Sequence, residues 1–426
     1  MSSPDPSNSY GRPHEVVVAG LQKVLDISRQ LAVTANLDVL LGDIERAALE
    51  VLDCERATVC IYDKERDELF SCVATRSEEI RFPAGQGIAG EVFRTGKISN
   101  VPDAYAEPRF NRGVDAKTGF RTRNLLTCPL FGHNQEILGV LQALNRKNGA
   151  FDSWDETLIR TLSAQCGVAF QRHFLIQEHL EKQRLERDLS IAQSIQMALL
   201  PTKAPKVAGF EIAGWNQPAE ETGGDFFDYR MLDDGRVLVI IADVTGHGMG
   251  PALVAAECHA LMRATFSFQS NVEIGLTHVN TLLSEHLPED RFVTALVGIL
   301  KPETGEMIYT SAGQGPILFY KRSADRFDIF AGHGPPLGVM SFLPYDESSK
   351  LQFEPGDMLV LMTDGFFEWE SADRKVLGIE GFSSLLRKYR DLPPAQIIER
   401  MYEELMQFVT GTKQLDDLTA VIVKRV

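Results

Sequence analysis

The chain has no apolar run of about 18 residues, the length a membrane-spanning helix needs. It is short of basic residues: 43 Lys and Arg stand against 59 Asp and Glu, a net charge of −16 over 426 residues. A generic nucleic-acid binder carries a basic footprint, so this balance argues against that class and against binding to anionic membrane by charge. Cysteine is sparse and scattered, at 54, 60, 72, 128, 166 and 258, with no CxxC pair. Several sit inside apolar runs, as Cys60 does in 57–62, and read as small buried hydrophobes in a reducing compartment. Residues 1–14 lack an apolar signal core and are rich in serine and proline, the composition of a disordered tail. A cytoplasmic protein is the expectation. Internal repeats and low-complexity tracts are also missing.

The length leaves room for two or three domains, each with its own core. Residues 15–172 read as one α+β unit. Helical spacing over 16–33 and 37–52 precedes short β-rich runs at 57–62, 68–74, 125–131 and 137–144, and 154–172 is helical again. An antiparallel sheet with helices on one face satisfies this order. Residues 173–205 form a helical linker. Leu185, Leu189, Ala192, Gln196 and Leu199 alternate by four and three, as in a coiled coil, before Pro201 stops the helix. That stripe fits either helix pairing between two chains, hence a homodimer, or packing on the helix's own domain. Residues 206–426 hold many short strands with helices over 251–266, 272–286 and 394–409, which suggests a β-sandwich flanked by helices.

Four aspartates of this last region stand in distinctive frames. Asp225 lies in Gly223-Gly224-Asp225-Phe226-Phe227-Asp228, Asp243 opens Asp243-Val244-Thr245-Gly246-His247-Gly248, Asp364 lies in Thr363-Asp364-Gly365, and Asp416 begins Asp416-Asp417-Leu418-Thr419. Three of the frames adjoin strand-like apolar runs, at 237–242, 358–362 and 418–423. Carboxylates at the ends of buried strands can converge on Mg²⁺ or Mn²⁺, which prefer hard oxygen ligands. Two such ions can activate water and clamp a phosphoryl group, so the pattern points to phosphate-ester hydrolysis. Asp228 and Asp417 are alternate ligands or orienters of ligands. His247 fits a turn histidine bonded to its own loop, or a general acid.

Together with Ser311-Ala312-Gly313-Gln314-Gly315-Pro316 and Pro335-Pro336-Leu337-Gly338, these frames make 206–426 resemble a PPM-type phosphatase, most closely the SpoIIE/RsbU branch. The resemblance implies metal roles for Asp225, Asp243, Asp364, Asp416 and the Val244 carbonyl, and hence a catalytic site with two Mn²⁺ or Mg²⁺ ions. It implies a phosphoserine or phosphothreonine protein as substrate, specifically an anti-anti-sigma (STAS-type) protein. The wider PPM family places an arginine upstream of its first acidic motif; residues 215–221 have none, and phosphate affinity is then expected to come from the metals and the partner surface.

Residues 15–172 resemble a GAF domain of the cyclic-nucleotide phosphodiesterase kind, through Asp103-Ala104-Tyr105, Pro108-Arg109-Phe110-Asn111, Val114-Asp115 and Thr118-Gly119-Phe120-Arg121-Thr122. Asn145, Arg146, Phe151, Asp155 and Glu156 echo the family's Asn-Lys…Phe…Asp-Glu signature. The resemblance implies a small-molecule site at Thr118, Thr122, Gln142, Asn145 and Asp155, with cAMP or cGMP as candidate ligand. Gln142 stands where relatives have an acidic contact, and Asn111 replaces an aromatic. On the residues alone, 145–156 is a capped strand-to-helix junction, with Asp152 or Ser153 as the cap. The chain therefore reads as a phosphatase under a ligand-binding sensor; its rival is a non-catalytic cyclic-nucleotide scaffold that docks a partner.

Overall fold

The computed structural model describes residues 13–31, 36–71, 80–288 and 290–426, with the side chains of 117 and 118 set aside. Most of the expected tail at 1–14, the ends of the runs at 16–33 and 68–74, and Cys72 fall outside them. The chain divides into two compact units, Met1–Gln183 and Arg184–Val426.

In the first unit the order is α1 (His14–Leu31), α2 (Leu37–Leu52), β1 (Cys54–Asp63), β2 (Glu68–Ser71), β3 (Ile80–Pro83), α3 (Gly87–Thr95), β4 (Ser99–Val101), α4 (Arg112–Thr118), β5 (Leu125–Phe131), β6 (Ile137–Arg146) and α5 (Ser153–Leu199). The strands form one antiparallel sheet ordered β3-β2-β1-β6-β5-β4. Alternation sorts their side chains to two faces. Val59, Ile61, Cys128, Leu130, Leu141 and Ala143 pack with α1, α2 and the start of α5. Cys60, Leu69, Leu125 and Val140 pack on the other face with Ile88, Val92 and Phe93 of α3. Helices on one face were expected; both faces are covered, because β1 and β6 carry apolar residues on both of their sides. No break separates 172 from 173. One 47-residue helix, α5, runs through the expected boundary.

The second unit continues with β7 (Phe210–Gln217), β8 (Phe226–Met231), β9 (Val237–Val244), α6 (Met249–Thr265), α7 (Val272–Leu283), β10 (Val293–Lys301), β11 (Glu306–Ala312), β12 (Ile317–Lys321), β13 (Arg326–Phe330), β14 (Ser349–Gln352), β15 (Met358–Met362), α8 (Gly365–Glu368), α9 (Gly378–Tyr389), α10 (Pro394–Phe408) and β16 (Leu418–Arg425). Two five-stranded sheets, β14-β11-β10-β9-β8 and β13-β12-β15-β16-β7, pack face to face. Residues of α6 and α7 join the core of the first sheet, and α8, α9 and α10 cover the outer face of the second. The expected sandwich flanked by helices is what forms. Helix α9 has no counterpart in the sequence reading; it docks through buried Phe382 and Leu386.

Strands β9 and β15 position the site. Val237 to Ala242 and Met358 to Met362 are buried without interruption, since each strand is covered on both faces. Burying an aliphatic side chain stabilises by about 1.5–3 kcal/mol, so five or six in a row fix where each strand ends. The placement of Asp243 and Asp364, just past those buried runs, is thereby fixed as well.

Candidate active site

Asp225 precedes β8 and Asp243 is next to last in β9, both in the first sheet. Asp364 comes after β15 and Asp416 precedes β16, both in the second. The four thus arrive at one end of the sandwich from two sheets. Thr363 ties the sheets together there. Its hydroxyl donates to Asp225 Oδ2 at 2.7 Å and accepts from the Thr419 N–H at 3.0 Å.

Burial first, and neighbouring carboxyl charges second, raise these carboxyl groups above their ordinary range. Burial raises Asp225 well above the usual carboxylate range, with the charges of Asp243 and Asp417 adding to it. Burial, then the Asp364 charge, pushes Asp243 up to about 7. Burial also raises Asp364, with Asp416 next, and it raises Asp416 and Asp417 in turn. No lysine or arginine pairs with any of the five among the described residues. As they stand, no three His, Cys, Asp or Glu side chains among those residues are grouped closely enough to hold an ion. Several carboxyls are turned instead onto protein donors. A set of hard oxygen donors that runs from buried Asp225 and Asp417 to exposed Asp416, with no lysine or arginine beside it among the described residues, is nonetheless the chemistry that fits divalent cations.

The two alternates separate. Asp417 fastens the glycine loop: its Oδ2 accepts from Gly224 N at 2.6 Å and Asp225 N at 3.2 Å, and its Oδ1 accepts from Ala219 N at 2.8 Å. Asp228 lies elsewhere, in a buried ion pair. Arg263 of α6 donates Nε to its Oδ2 at 2.6 Å and Nη2 to its Oδ1 at 3.1 Å, and His259 Nε2 lies 3.2 Å from Oδ2. Burial works against its charge, but His259 and Arg263 together outweigh it and hold Asp228 at about 2. It is a clamp between β8 and α6, not a ligand. His247 Nδ1 lies 3.1 Å from Glu220 Oε1, so its partner belongs to a different loop from its own. Gly224 is required: a Cβ there would stand 2.7 Å from the Val244 carbonyl oxygen.

Heptad spacing makes Gln196 one position of a coiled-coil stripe. Its amide instead grips one residue of the glycine loop through both of its backbone groups: Nε2 donates to Gly223 O at 2.6 Å and Oε1 accepts from Gly223 N at 3.2 Å. Leu189, Ala192, Gln196 and Leu199 are half-buried within their own unit, while Leu185, Ile191 and Ile195 are exposed. Packing on its own domain accounts for the half-buried part of the stripe, from Leu189 to Leu199, and leaves Leu185 exposed.

In the first unit, the five residues expected at a ligand are mostly engaged with protein. Thr122 Oγ1 donates to Asp115 Oδ1 at 2.8 Å, and Tyr105 donates to Asp115 Oδ2 at 3.1 Å. Gln142 Nε2 donates to Thr127 Oγ1 at 3.0 Å. Asn145, at φ +56, accepts from Arg123 N and donates to Glu55 and to the Arg121 carbonyl. Asp155 lies 2.6 Å from Arg146 Nε in a nearly buried pair. Burial pushes Asp155 up despite the arginine. Asp152 caps α5. Asn145 to Asp155 thus works as a junction latch. Thr118 ends α4; its side chain is outside the described set. A cavity of about 460 Å³ beside α4 is lined by Tyr105, Arg112, Asp115, Ala116, Gly119, Phe120 and Arg121, and by none of the five.

The family model described as Stage II sporulation protein E (SpoIIE) matches residues 233–426, and the GAF domain model matches 36–170. The chain joins a GAF domain to a SpoIIE-type phosphatase domain. The phosphatase match takes in Asp243, Asp364 and Asp416 and starts after Asp225. Phosphoserine phosphatase RsbU of Bacillus subtilis is 24% identical over 265 residues, covering 61% of this chain and 76% of that protein. A cGMP-specific 3',5'-cyclic phosphodiesterase of Drosophila virilis is 37% identical over 123 residues, 28% of this chain and only 14% of that protein. Among solved structures, the SiaA-PP2C domain of Pseudomonas aeruginosa superposes with a TM-score of 0.51 at 20% identity, over 57% of this chain and 98% of that chain, which shows the shared fold. The SpoIIE-type domain makes the chain a PPM-type protein phosphatase, as the sequence resemblance implied. Among the described residues no helix is long and apolar enough to cross a membrane.

Proposed function

We propose that the chain is a metal-dependent serine/threonine phosphatase of the cytoplasm whose GAF unit regulates hydrolysis of a phosphorylated STAS-type protein. One observation carries the catalytic part: Asp225, Asp243, Asp364 and Asp416 come to one end of the sandwich, from buried Asp225 out to exposed Asp416, each raised above the usual carboxylate range and without a lysine or arginine partner among the described residues. These four and the Val244 carbonyl would hold two Mn²⁺ or Mg²⁺ ions, which when bound supply Lewis acidity to water and to the phosphoryl oxygens. The chain's own groups set up the rest. Thr363 aligns the Asp225 carboxylate, and Asp417 and Gln196 fix the loop that presents it. Gly224 lets its loop pack close against the Val244 carbonyl.

The regulatory part rests on α5, whose last turns reach the Asp225 loop through Gln196. A ligand shifts such an element only by favouring one of its arrangements. The small molecule is taken to be cAMP or cGMP, after the phosphodiesterase relatives. Exposed Leu175, Leu180, Leu185, Ile191 and Ile195 on α5 support a homodimer. The partner-switching substrate is assigned after the RsbU relative. The test is phosphate release from a phosphoserine STAS protein with Mn²⁺ or Mg²⁺, for wild type and Asp364→Ala, with and without each nucleotide. Metal-dependent release that the variant loses supports the enzyme, and a nucleotide response supports the sensor. Absence of release under every condition rejects the reading.

A further inference from the structure

Residues 215–221 carry no arginine, so a carboxylate-lined site needs its phosphate grip from somewhere else. We propose that Arg291 supplies it, as a substrate-contacting residue that binds the phosphoryl oxygens of the phosphoprotein at the rim of the carboxylate cluster. The inference rests on the phosphatase reading above and adds to it a residue from outside every frame that pointed there.

Strand register sets the position. Strands β9 and β10 pair Asp243 with Thr294 and Val244 with Val293. Just past the end of this ladder Thr245 lies against Phe292, and Gly246 lies against the Arg291 side chain. The hydrogen bonds agree. Thr245 N donates to Phe292 O at 3.1 Å, and Phe292 N donates to Thr245 Oγ1 at 3.2 Å. Arg291 Nη1 then donates to Thr245 O at 2.8 Å. The guanidinium therefore lies across the loop that leaves Asp243 and Val244. A Cβ on Gly246 would stand 2.8 Å from Nη1, and one on Gly250 would stand 3.9 Å from Nη2. Gly246, at φ +87, gives the backbone its turn and the arginine its room.

Arg291 differs from the buried-site arginines in having no acid beside it among the described residues. Arg263 is spent on Asp228 and Arg146 on Asp155. The side chain of half-buried Arg291 has, among the described residues, one hydrogen bond, to Thr245 O, and no carboxylate partner. A guanidinium has five N–H donors, so most of its fork remains available. A cation anchored by a backbone carbonyl, with a free face beside the metal-ligand candidates, suits bidentate binding of a tetrahedral oxyanion. Such a grip is independent of the metal ligands, which makes it separable by experiment.

Calorimetry on the full-length chain provides the test. The protein is titrated with Mn²⁺ and then, at saturating Mn²⁺ and fixed ionic strength, with inorganic phosphate; KM and kcat for the phosphoserine protein are read in parallel. Arg291→Ala is expected to weaken phosphate binding by about tenfold or more and to raise KM, the scale of one charge-assisted contact. Its Mn²⁺ affinity and Tm should match wild type. Arg291→Lys keeps the charge but not the fork and should fall between. Unchanged phosphate binding in Arg291→Ala overturns the proposal. So does a loss of Mn²⁺ affinity in step with phosphate, which would make Arg291 a strut for the Thr245 carbonyl. A wild-type chain that binds neither Mn²⁺ nor phosphate overturns the metal-site reading and this inference with it.

Discussion

Both units bury acidic side chains, and they treat them differently. In the GAF unit Asp155 has Arg146 beside it and Asp115 receives Thr122 and Tyr105. The phosphatase unit does the same with Asp228, held by Arg263 and His259. At the end of the sandwich it does the opposite: five carboxyls gather with no lysine or arginine among their described partners. A buried acid with a partner is architecture, and its charge is already settled. Buried Asp225 and Asp417, with the less buried Asp243, Asp364 and Asp416 around them, have no such partner among the described residues. The difference lies in electrostatics rather than residue type, since aspartate serves in both places.

The sharpest way to break this comparison is to remove one acid from the cluster and one cation from a paired site. Asp364→Ala should lower metal-dependent phosphate release by about a thousandfold or more, the scale of losing a group that acts only in the reacting complex. In metal-free protein the same change should leave Tm unchanged or raise it, because it removes repulsion from Asp416 and Asp243. Arg146→Ala should act in reverse. It leaves Asp155 buried without its cation and should cost the GAF unit about 3 kcal/mol in denaturant unfolding. Mn²⁺ binding by the phosphatase unit should stay as in wild type. If both substitutions destabilise the metal-free chain alike, the distinction between the two kinds of buried acid is wrong.

Titration sharpens it further. Asp243 changes from an ordinary 3.8 to about 7 on folding. Between those values the folded chain keeps a proton that the unfolded chain has lost, so metal-free stability should fall as pH rises from about 4 to about 7 and level off above. Asp228, held at about 2, contributes in the other sense: its stabilisation is complete above 3.8 and is lost as pH falls toward 2. Because a cation must displace the Asp243 proton, apparent Mn²⁺ affinity should drop about tenfold per pH unit below 7. Isothermal titration at pH 6, 7 and 8 reads this directly; a pH-independent affinity would remove Asp243 from the ligand set.

Much of this arrangement is legible in the sequence. Residues 237–242 and 358–362 are apolar without alternation, the mark of strands covered on both faces, and the acids at their ends stand out before any fold is known. Partners across long separations are not legible. Nothing local in Asp228 says that an arginine 35 residues on will claim it, while Asp225, three residues away, stays without a cation. The signature from Asn145 to Asp155 resembles a ligand motif and holds a strand to a helix, because short motifs fix geometry without stating what it is for. Periodicity fails in the same way along α5. It shows that a helix has an apolar side and is silent on what that side meets.

Gln196 is where that silence matters most, and it offers the finest test. Coiled-coil spacing would assign it to a second helix, whereas its amide holds both the N–H and the C=O of Gly223, two residues before Asp225. A glutamine that merely filled a helical seam could become alanine or leucine with little effect on a distant carboxylate. A glutamine that sets Gly223 cannot, because its loss loosens the segment that carries Asp225 to the cluster and leaves it to Asp417, Thr363 and Val244. Gln196→Ala should therefore weaken Mn²⁺ binding and phosphate release together by about five- to tenfold, the scale of one or two neutral hydrogen bonds. Since Asn is too short to reach and Glu offers no donor, neither should restore activity. If Gln196→Ala instead changes only the oligomeric state, the helix meets a second chain at this position, and the Asp225 loop is held by Asp417, Thr363 and Val244 without it.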